Sequence, residues 1–444
     1  MQSFFSKIPN ATLVELPEAL ENYRRDESHV VGPLPLAAVK PHGPDALREL
    51  VNVAKGDGLT LVPRGAGTGK AGGAVPTDGS LVVDLSEYPG EMSVRRGELA
   101  LHAPAGAPLR DIKAAATAAG LYYPPDPNSW DVCSFGGSLA TNAGGPCACK
   151  YGMTRHWVLS VDALMEDGEV HRFGIDTVKN NAGPSLAQLM VGSEGIFGII
   201  VGASARLAPA PRELVTLLLP AKEWGGLLDL PNRLVRGGFL PSAFEFWDPA
   251  VLDVLRRHGP QEARRLPGEA LAIIEFNDAG CRSDAFLGGV ADALGRMSEH
   301  VQVAADEAQR SHIWDIRRQT SAVLKELYPN KISEDVAVPR SRIGDFFEGA
   351  KQLGLPIVTY GHLGDGNLHV NFLLEGGGGA EKDIEGLFRL ALALDGTITG
   401  EHGLGLAKRE AFLKLADPWQ VGAIRALKRA LDPCGIFNRG KAAG

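Results

Sequence analysis

Tyr360-Gly-His-Leu-Gly-Asp-Gly-Asn-Leu-His-Val-Asn371 sets two histidines, His362 and His369, on either side of a Gly-Asp-Gly-Asn turn. Ile357-Val-Thr359 precedes the stretch, and Val370 and Phe372 lie at its end. This reads as strand, tight turn, strand. Such a hairpin brings two imidazoles to one end of a sheet, where they can share a cation. Further on, Gly400-Glu-His-Gly403 adds a carboxylate and an imidazole among glycines that allow close backbone approach. Two histidines and a carboxylate, with positions open to water or substrate, are a ligand set of catalytic divalent metals. His-x6-His is no zinc-finger spacing, and paired histidines at strand ends also act as plain hydrogen-bonders. Glu401-His402 in its own glycine turn is what strengthens the metal reading.

Outward from this stretch, the chain has 444 residues, enough for two or three domains with sizeable cores. Hydrophobic residues at 44% and charged ones at 22% are ordinary for a globular protein. A net charge of −8 with no strongly basic segment argues against nucleic acid as a partner. The cysteines (Cys133, Cys147, Cys149, Cys281, Cys434) are sparse and odd in number, which suits a reducing compartment rather than a disulfide scaffold. No run approaches the length of a transmembrane helix, and Met1 to Asn10 lacks the apolar core of a signal peptide. The expectation is a cytoplasmic protein, with membrane attachment through a partner left open.

Toward the N-terminus, Asp45 to Gly56 has helical spacing and Leu59 to Val62 reads as a buried strand. The next segment, Pro63-Arg-Gly-Ala-Gly-Thr-Gly-Lys-Ala-Gly-Gly-Ala-Val75, contains Gly67-x-Gly69-x-x-Gly72, formally a dinucleotide fingerprint. A Rossmann turn must open a helix, whereas here a turn at 75–79 leads to another strand, Leu81 to Leu85. The Walker pattern also fails. What survives is a glycine-rich nest of backbone N–H groups suited to a pyrophosphate, the plainer alternative being a flexible loop. Leu101 to Pro104 reads as strand, Pro108 to Ala119 as helix, and 159–173 as a hairpin turning at Asp167-Gly168. Glycine-rich stretches at 134–145 and 189–201 read as further turns among strands. Three such turns imply a large planar ligand held by backbone.

Arg64-Gly-Ala-Gly-Thr-Gly69, Pro124-Pro-Asp-Pro127, Gly136-Gly-x4-Asn142-Ala-Gly-Gly145, Lys150-Tyr-Gly152 and Val191-Gly-Ser-Glu-Gly195 resemble the FAD-binding domain of the vanillyl-alcohol oxidase / p-cresol methylhydroxylase superfamily. His362-x6-His369 and Gly400-Glu-His-Gly403 resemble its branch of glycolate oxidase, D-lactate dehydrogenase and D-2-hydroxyglutarate dehydrogenase. The similarity covers roughly residues 35 to 441. It implies an α+β protein: a two-subdomain FAD-binding domain over 1–210, then a substrate-binding cap over 211–395. The cap has an antiparallel sheet backed by helices, and residues 396–444 return to the FAD domain. Leu214 to Leu219 and Leu271 to Phe276 suit cap strands. Pro249 to His258, Ser283 to Ser298, Gln309 to Leu327 and Glu381 to Leu394 suit cap helices, with Gly376 to Gly379 as a short loop.

The resemblance further implies FAD held by Arg64, Gly65, Ala66, Gly67, Thr68, Gly69, Pro125, Asp126, Gly136, Gly137, Ser138, Asn142, Gly145, Tyr151, Gly152, Glu194, Gly195, Gly198, Ile200 and Asn438. It makes His362, His369 and Glu401 ligands of a divalent metal (zinc, manganese or iron) and His402 the base that takes the substrate hydroxyl proton. Asn371 would hydrogen-bond the substrate, and Arg317, with Arg318 as its rival, would grip the substrate carboxylate. The reaction implied is oxidation of a small D-2-hydroxy acid, D-lactate or glycolate-like, with hydride passing to flavin. Relatives acting on 2-hydroxyglutarate carry a lysine where this chain has Ser333, beside Glu334, which leans away from a long diacid. Lys331 leaves that question open. Arg439 stands where a proline is usual. Without iron–sulfur cysteine clusters, electrons must pass to a separate acceptor, whether protein, quinone or small molecule. A D-2-hydroxyglutarate dehydrogenase, a non-redox alkylglycerone-phosphate-synthase-like transferase and a flavin-binding accessory component of a larger oxidase are the alternatives. Covalent flavin attachment and homo-oligomer formation stay open.

Overall fold

The computed structural model describes residues 8–261, 263–374 and 380–444; the glycine loop expected at 376–379 lies outside them. The chain forms two compact units. One comprises Met1–Gly144, Met153–Ala210 and Glu401–Gly444, the other Gly145–Gly152 and Pro211–Gly400.

Two main sheets, of four and five strands, carry the first unit, beside a two-stranded pair of Leu121–Tyr122 with Ala208–Pro209. In the smaller, strands run in the order Ala11–Val14, Ala37–Pro41, Ser80–Asp84, Thr60–Arg64, the last three parallel. The helix Pro44–Asp57 carries the chain from Ala37–Pro41 to Thr60–Arg64, so that both run parallel to Ser80–Asp84, which lies between them. Pro44 suits its first turn, and Gly58 ends it in the left-handed region at φ 66°. Leu47, Leu50 and Val51 of this helix pack on Val39, Leu61, Leu81 and Val83, each side chain contributing about 1.5–3 kcal/mol. The C-terminal segment joins this core through Ile436 and Phe437, and Leu61 N–H donates to the Ile436 carbonyl at 2.7 Å. The larger sheet is antiparallel, in the order Ser93–Arg95, Ala100–Pro104, Ile199–Arg206, Val158–Leu164, Val170–Gly174.

One expectation is corrected here. The glycine stretch from Ser134 is no turn between strands: Phe135–Ala140 is a short helix. The Ser134 side chain accepts from Gly137 N–H, while Phe135 and Leu139, one turn apart, are both buried. Capping and burial outweigh the poor helix propensity of two glycines.

In the second unit, a seven-stranded sheet runs in the order Gln302–Val303, Val215–Ala221, Ala270–Phe276, Ala243–Trp247, Ile357–His362, Asn367–Phe372, Ile332–Ala337. Every pairing is antiparallel. Pro249–His258 and Glu307–Leu327 supply helices to one face, where Leu252, Leu255, Trp314 and Leu324 pack with Trp247 and Tyr360. Phe246 on the other face stacks with Trp224, ring centroids 5.7 Å apart. Residues 145–152 are tied into this unit. Lys150 Nζ donates to Asn277 Oδ1 and Asp278 Oδ1, both at 2.7 Å, and Tyr151 OH donates to Asn277 Oδ1. Among the described residues no helix is long and apolar enough to cross a membrane.

Candidate active site

The hairpin register decides which side chains meet. His362 lies opposite Asn367, Tyr360 opposite His369, and Val358 opposite Asn371. Opposed residues, and residues two apart, share a face. The flanking strands add Glu245 opposite His362, Asp335 opposite His369 and Ser333 opposite Asn371. Both histidines are buried, and their Nε2 atoms face each other at 3.3 Å with the rings at 79°.

His362 is fixed from behind. Its Nδ1 meets Glu245 Oε1 at 2.5 Å, and the other Glu245 oxygen accepts from Arg317 Nε at 2.6 Å. Burial would push the Glu245 carboxyl up, but the Arg317 charge and the hydrogen bonds from His362 and Arg317 hold it below its usual range. Arg317 is itself 7% exposed, and its guanidinium lies 4.9 Å over the Tyr360 ring. Arg318 turns outward to Asp315. Glu245 is absent from the sequence-based site. The one local signal for it is a lone carboxylate in an otherwise apolar strand, Ala-Phe-Glu-Phe-Trp.

Glu401 is positioned through its neighbour. Gly400 N–H donates to buried Asp335, at 2.9 Å to Oδ2, and Thr399 Oγ1 donates to the same carboxylate. His402 Nε2 is 4.0 Å from the Glu401 carboxylate. The two facing imidazoles are donors of the kind that bind a divalent cation, and Glu401, in the first unit, is the carboxylate that the sequence sets beside them. Asn371 is fully buried and its amide is committed. Oδ1 accepts from Lys331 Nζ at 3.0 Å and Ser333 Oγ at 2.5 Å, while Nδ2 donates to the carbonyls of His369 and Val358. Lys331 thus does reach the row of site residues.

The glycine-rich segments of the first unit form tight cradles. A Cβ on Gly65 would fall 2.0 Å from Ser134 Oγ, on Gly136 2.5 Å from the Ala105 Cβ, and on Gly195 2.6 Å from Pro63. Gly198 is packed as closely, on the Leu164 carbonyl, and Ile200 lies in a buried strand. Arg64 Nη1 donates to the Arg25 carbonyl at 2.9 Å. Among the described residues, no hydrogen bond is formed by the backbone N–H groups of Gly65, Ala66, Gly67, Thr68 and Gly69, as a phosphate-binding nest requires. Other expected cofactor residues carry internal bonds. Ser138 Oγ donates to the Phe135 carbonyl, and Asn142 Oδ1 accepts from Arg155 N–H. The Glu194 carboxylate accepts from the N–H groups of Leu404 and Gly405, and Asn438 Nδ2 donates to the carbonyls of Glu194 and Gly73. Pro125 and Asp126 lie in irregular chain, as does Gly145; Gly152 at φ 72° and Gly137 in the short helix complete the set. Lys441 is buried against the Gly73 carbonyl, and burial brings its amine down to about 7.

Two family models match the chain: an FAD binding domain over residues 35–174, and the FAD linked oxidases, C-terminal domain, over residues 210–442. A D-lactate dehydrogenase from Archaeoglobus fulgidus is 31% identical, covering 97% of this chain and 97% of its own. A D-2-hydroxyglutarate dehydrogenase from Xanthomonas citri pv. viticola is 31% identical over 98% of this chain and 94% of its own. In fold, the chain is similar to substrate-bound p-cresol methylhydroxylase, with TM-score 0.79 and 14% identity over 100% of this chain and 97% of the other.

Proposed function

The chain belongs to the FAD-linked oxidase family, and we propose that it oxidises a D-2-hydroxy acid to the 2-oxo acid with the help of a divalent metal. The observation that carries the proposal is the buried pair His362 and His369, Nε2 facing Nε2 at 3.3 Å, in a chain that also carries the Glu401-His402 pair. FAD supplies the hydride acceptor for oxidation at C2. A divalent cation, held by His362, His369 and Glu401, would supply Lewis acidity toward a hydroxyl and an adjacent carboxylate.

The chain's own residues do the rest. Glu245 accepts the Nδ1 proton of His362, which leaves the Nε2 lone pair on the side of His369. Arg317, compensated by Glu245 through Nε, keeps its terminal nitrogens for the substrate carboxylate. His402 takes the hydroxyl proton, a task suited to an imidazole near neutral pH. Buried walls around both histidines exclude bulk water and strengthen these interactions.

Ser333 in place of a lysine favours a small acid such as D-lactate or glycolate. A second reading rests on Lys331: its ammonium at Asn371 favours an acid with a second anionic group, as in D-2-hydroxyglutarate. Anaerobic titration of the oxidised flavin band with D-lactate, glycolate and D-2-hydroxyglutarate, with and without chelator, tests both. Bleaching by one acid that chelation abolishes supports the proposal and selects the substrate. A flavin that none of them bleaches points to the non-redox transferase instead.

A further inference from the structure

Asn367 stands directly opposite His362 across the hairpin, so both side chains leave the sheet on one face. It is 6% exposed, yet among the described residues neither Nδ2 nor Oδ1 has a hydrogen-bond partner. Its amide lies against Gly400, the residue before Glu401: a Cβ there would fall 1.4 Å from Nδ2. Buried amides are almost always paired, because an unpaired one forfeits its water without replacement. Asn371, two residues past His369, shows the ordinary case with both ends of its amide occupied. One asparagine of the hairpin is therefore saturated, while the other is buried and unsatisfied among the described residues, across the hairpin from His362.

We propose that Asn367 is a substrate-binding residue whose carboxamide recognises the adjacent hydroxyl and carboxylate of a 2-hydroxy acid. Nδ2 donates to a carboxylate oxygen, and Oδ1 accepts from the hydroxyl. A carboxamide offers a donor and an acceptor side by side, which is the complement of that pair of groups. The inference deepens the proposed function and rests on it. It adds Asn367 to the residues expected to touch the substrate.

The test compares wild-type holoenzyme with Asn367→Leu, which is similar in size but apolar, and with Asn367→Ala in case leucine does not pack. Binding of D-lactate and glycolate is measured by anaerobic calorimetry on the photoreduced holoenzyme, which cannot turn them over, with flavin and metal content and melting temperature recorded alongside. The expected result is affinity weakened about tenfold to a hundredfold, with flavin and metal content unchanged and melting temperature equal or higher. Affinity within twofold of wild type overturns the proposal. So does a melting temperature lowered in both variants, which would show an amide bonded within the protein. If wild-type protein binds neither acid and no 2-hydroxy acid reduces it, the proposed function fails. The melting comparison then still decides whether the Asn367 amide is engaged inside the protein.

Discussion

Replacing Glu245 by alanine removes the carboxylate between His362 and Arg317, both of which stay buried. The arginine cannot shed its proton, so the variant carries an uncompensated buried guanidinium. Breaking such a pair from one side costs about 3–5 kcal/mol, chiefly for the stranded charge. For a unit of this size that lowers the melting transition by roughly 6–20 °C. Glu245→Gln separates charge from hydrogen bonding. With its carbonyl toward Arg317 Nε, the glutamine turns its NH2 toward His362 Nδ1, which must then accept. The proton moves to Nε2, the nitrogen facing His369, and ligation there is lost. Glu245→Gln should therefore melt closer to wild type than alanine but bind metal about 10–100-fold more weakly. Thermal denaturation followed by circular dichroism, with chelator competition and elemental analysis, measures both. Alanine within about 1 kcal/mol of wild type, or full metal affinity in the glutamine variant, would refute the reasoning.

Three further outcomes follow from other residues. His402→Gln should lower the rate of flavin reduction by about 10²–10⁴ while retaining flavin and metal, read by anaerobic stopped flow. Gly400→Ala places a methyl 1.4 Å from the Asn367 amide and should shift that strand end, seen as lower melting temperature and lower metal content together. Lys441, brought down from 10.5 to about 7 by burial, is protonated in both folded and unfolded chains below pH 7. Between about 7 and 10.5 only the unfolded chain holds that proton, so stability should rise with pH there, by at most about 1.4 kcal/mol per unit. Lys441→Met should flatten this slope in denaturant titrations at a series of pH values.

The hairpin, most helix positions and the glycine-rich loop at 65–69 were legible from the chain alone, because each depends on a few neighbouring residues. Alternation on both sides of Gly-Asp-Gly-Asn is enough to place His362 and His369 on one face of one sheet. Phe135–Ala140 escaped because its glycines argue for a turn; a serine cap and two buried side chains override them. Arg317 and Arg318 are equivalent in local pattern, and only the packed helix turns one inward onto Glu245 and the other out to Asp315. Glu245 is 117 residues from His362, and no local periodicity signals a partner at that separation. The two asparagines of the hairpin likewise differ only in their surroundings. Ser333 on the neighbouring strand and Lys331 just before it reach Asn371, while the amide of Asn367 lies against Gly400, which has no side chain to bond it. Short-range sequence determined which residues could do chemistry; long-range packing determined which of their atoms are already occupied.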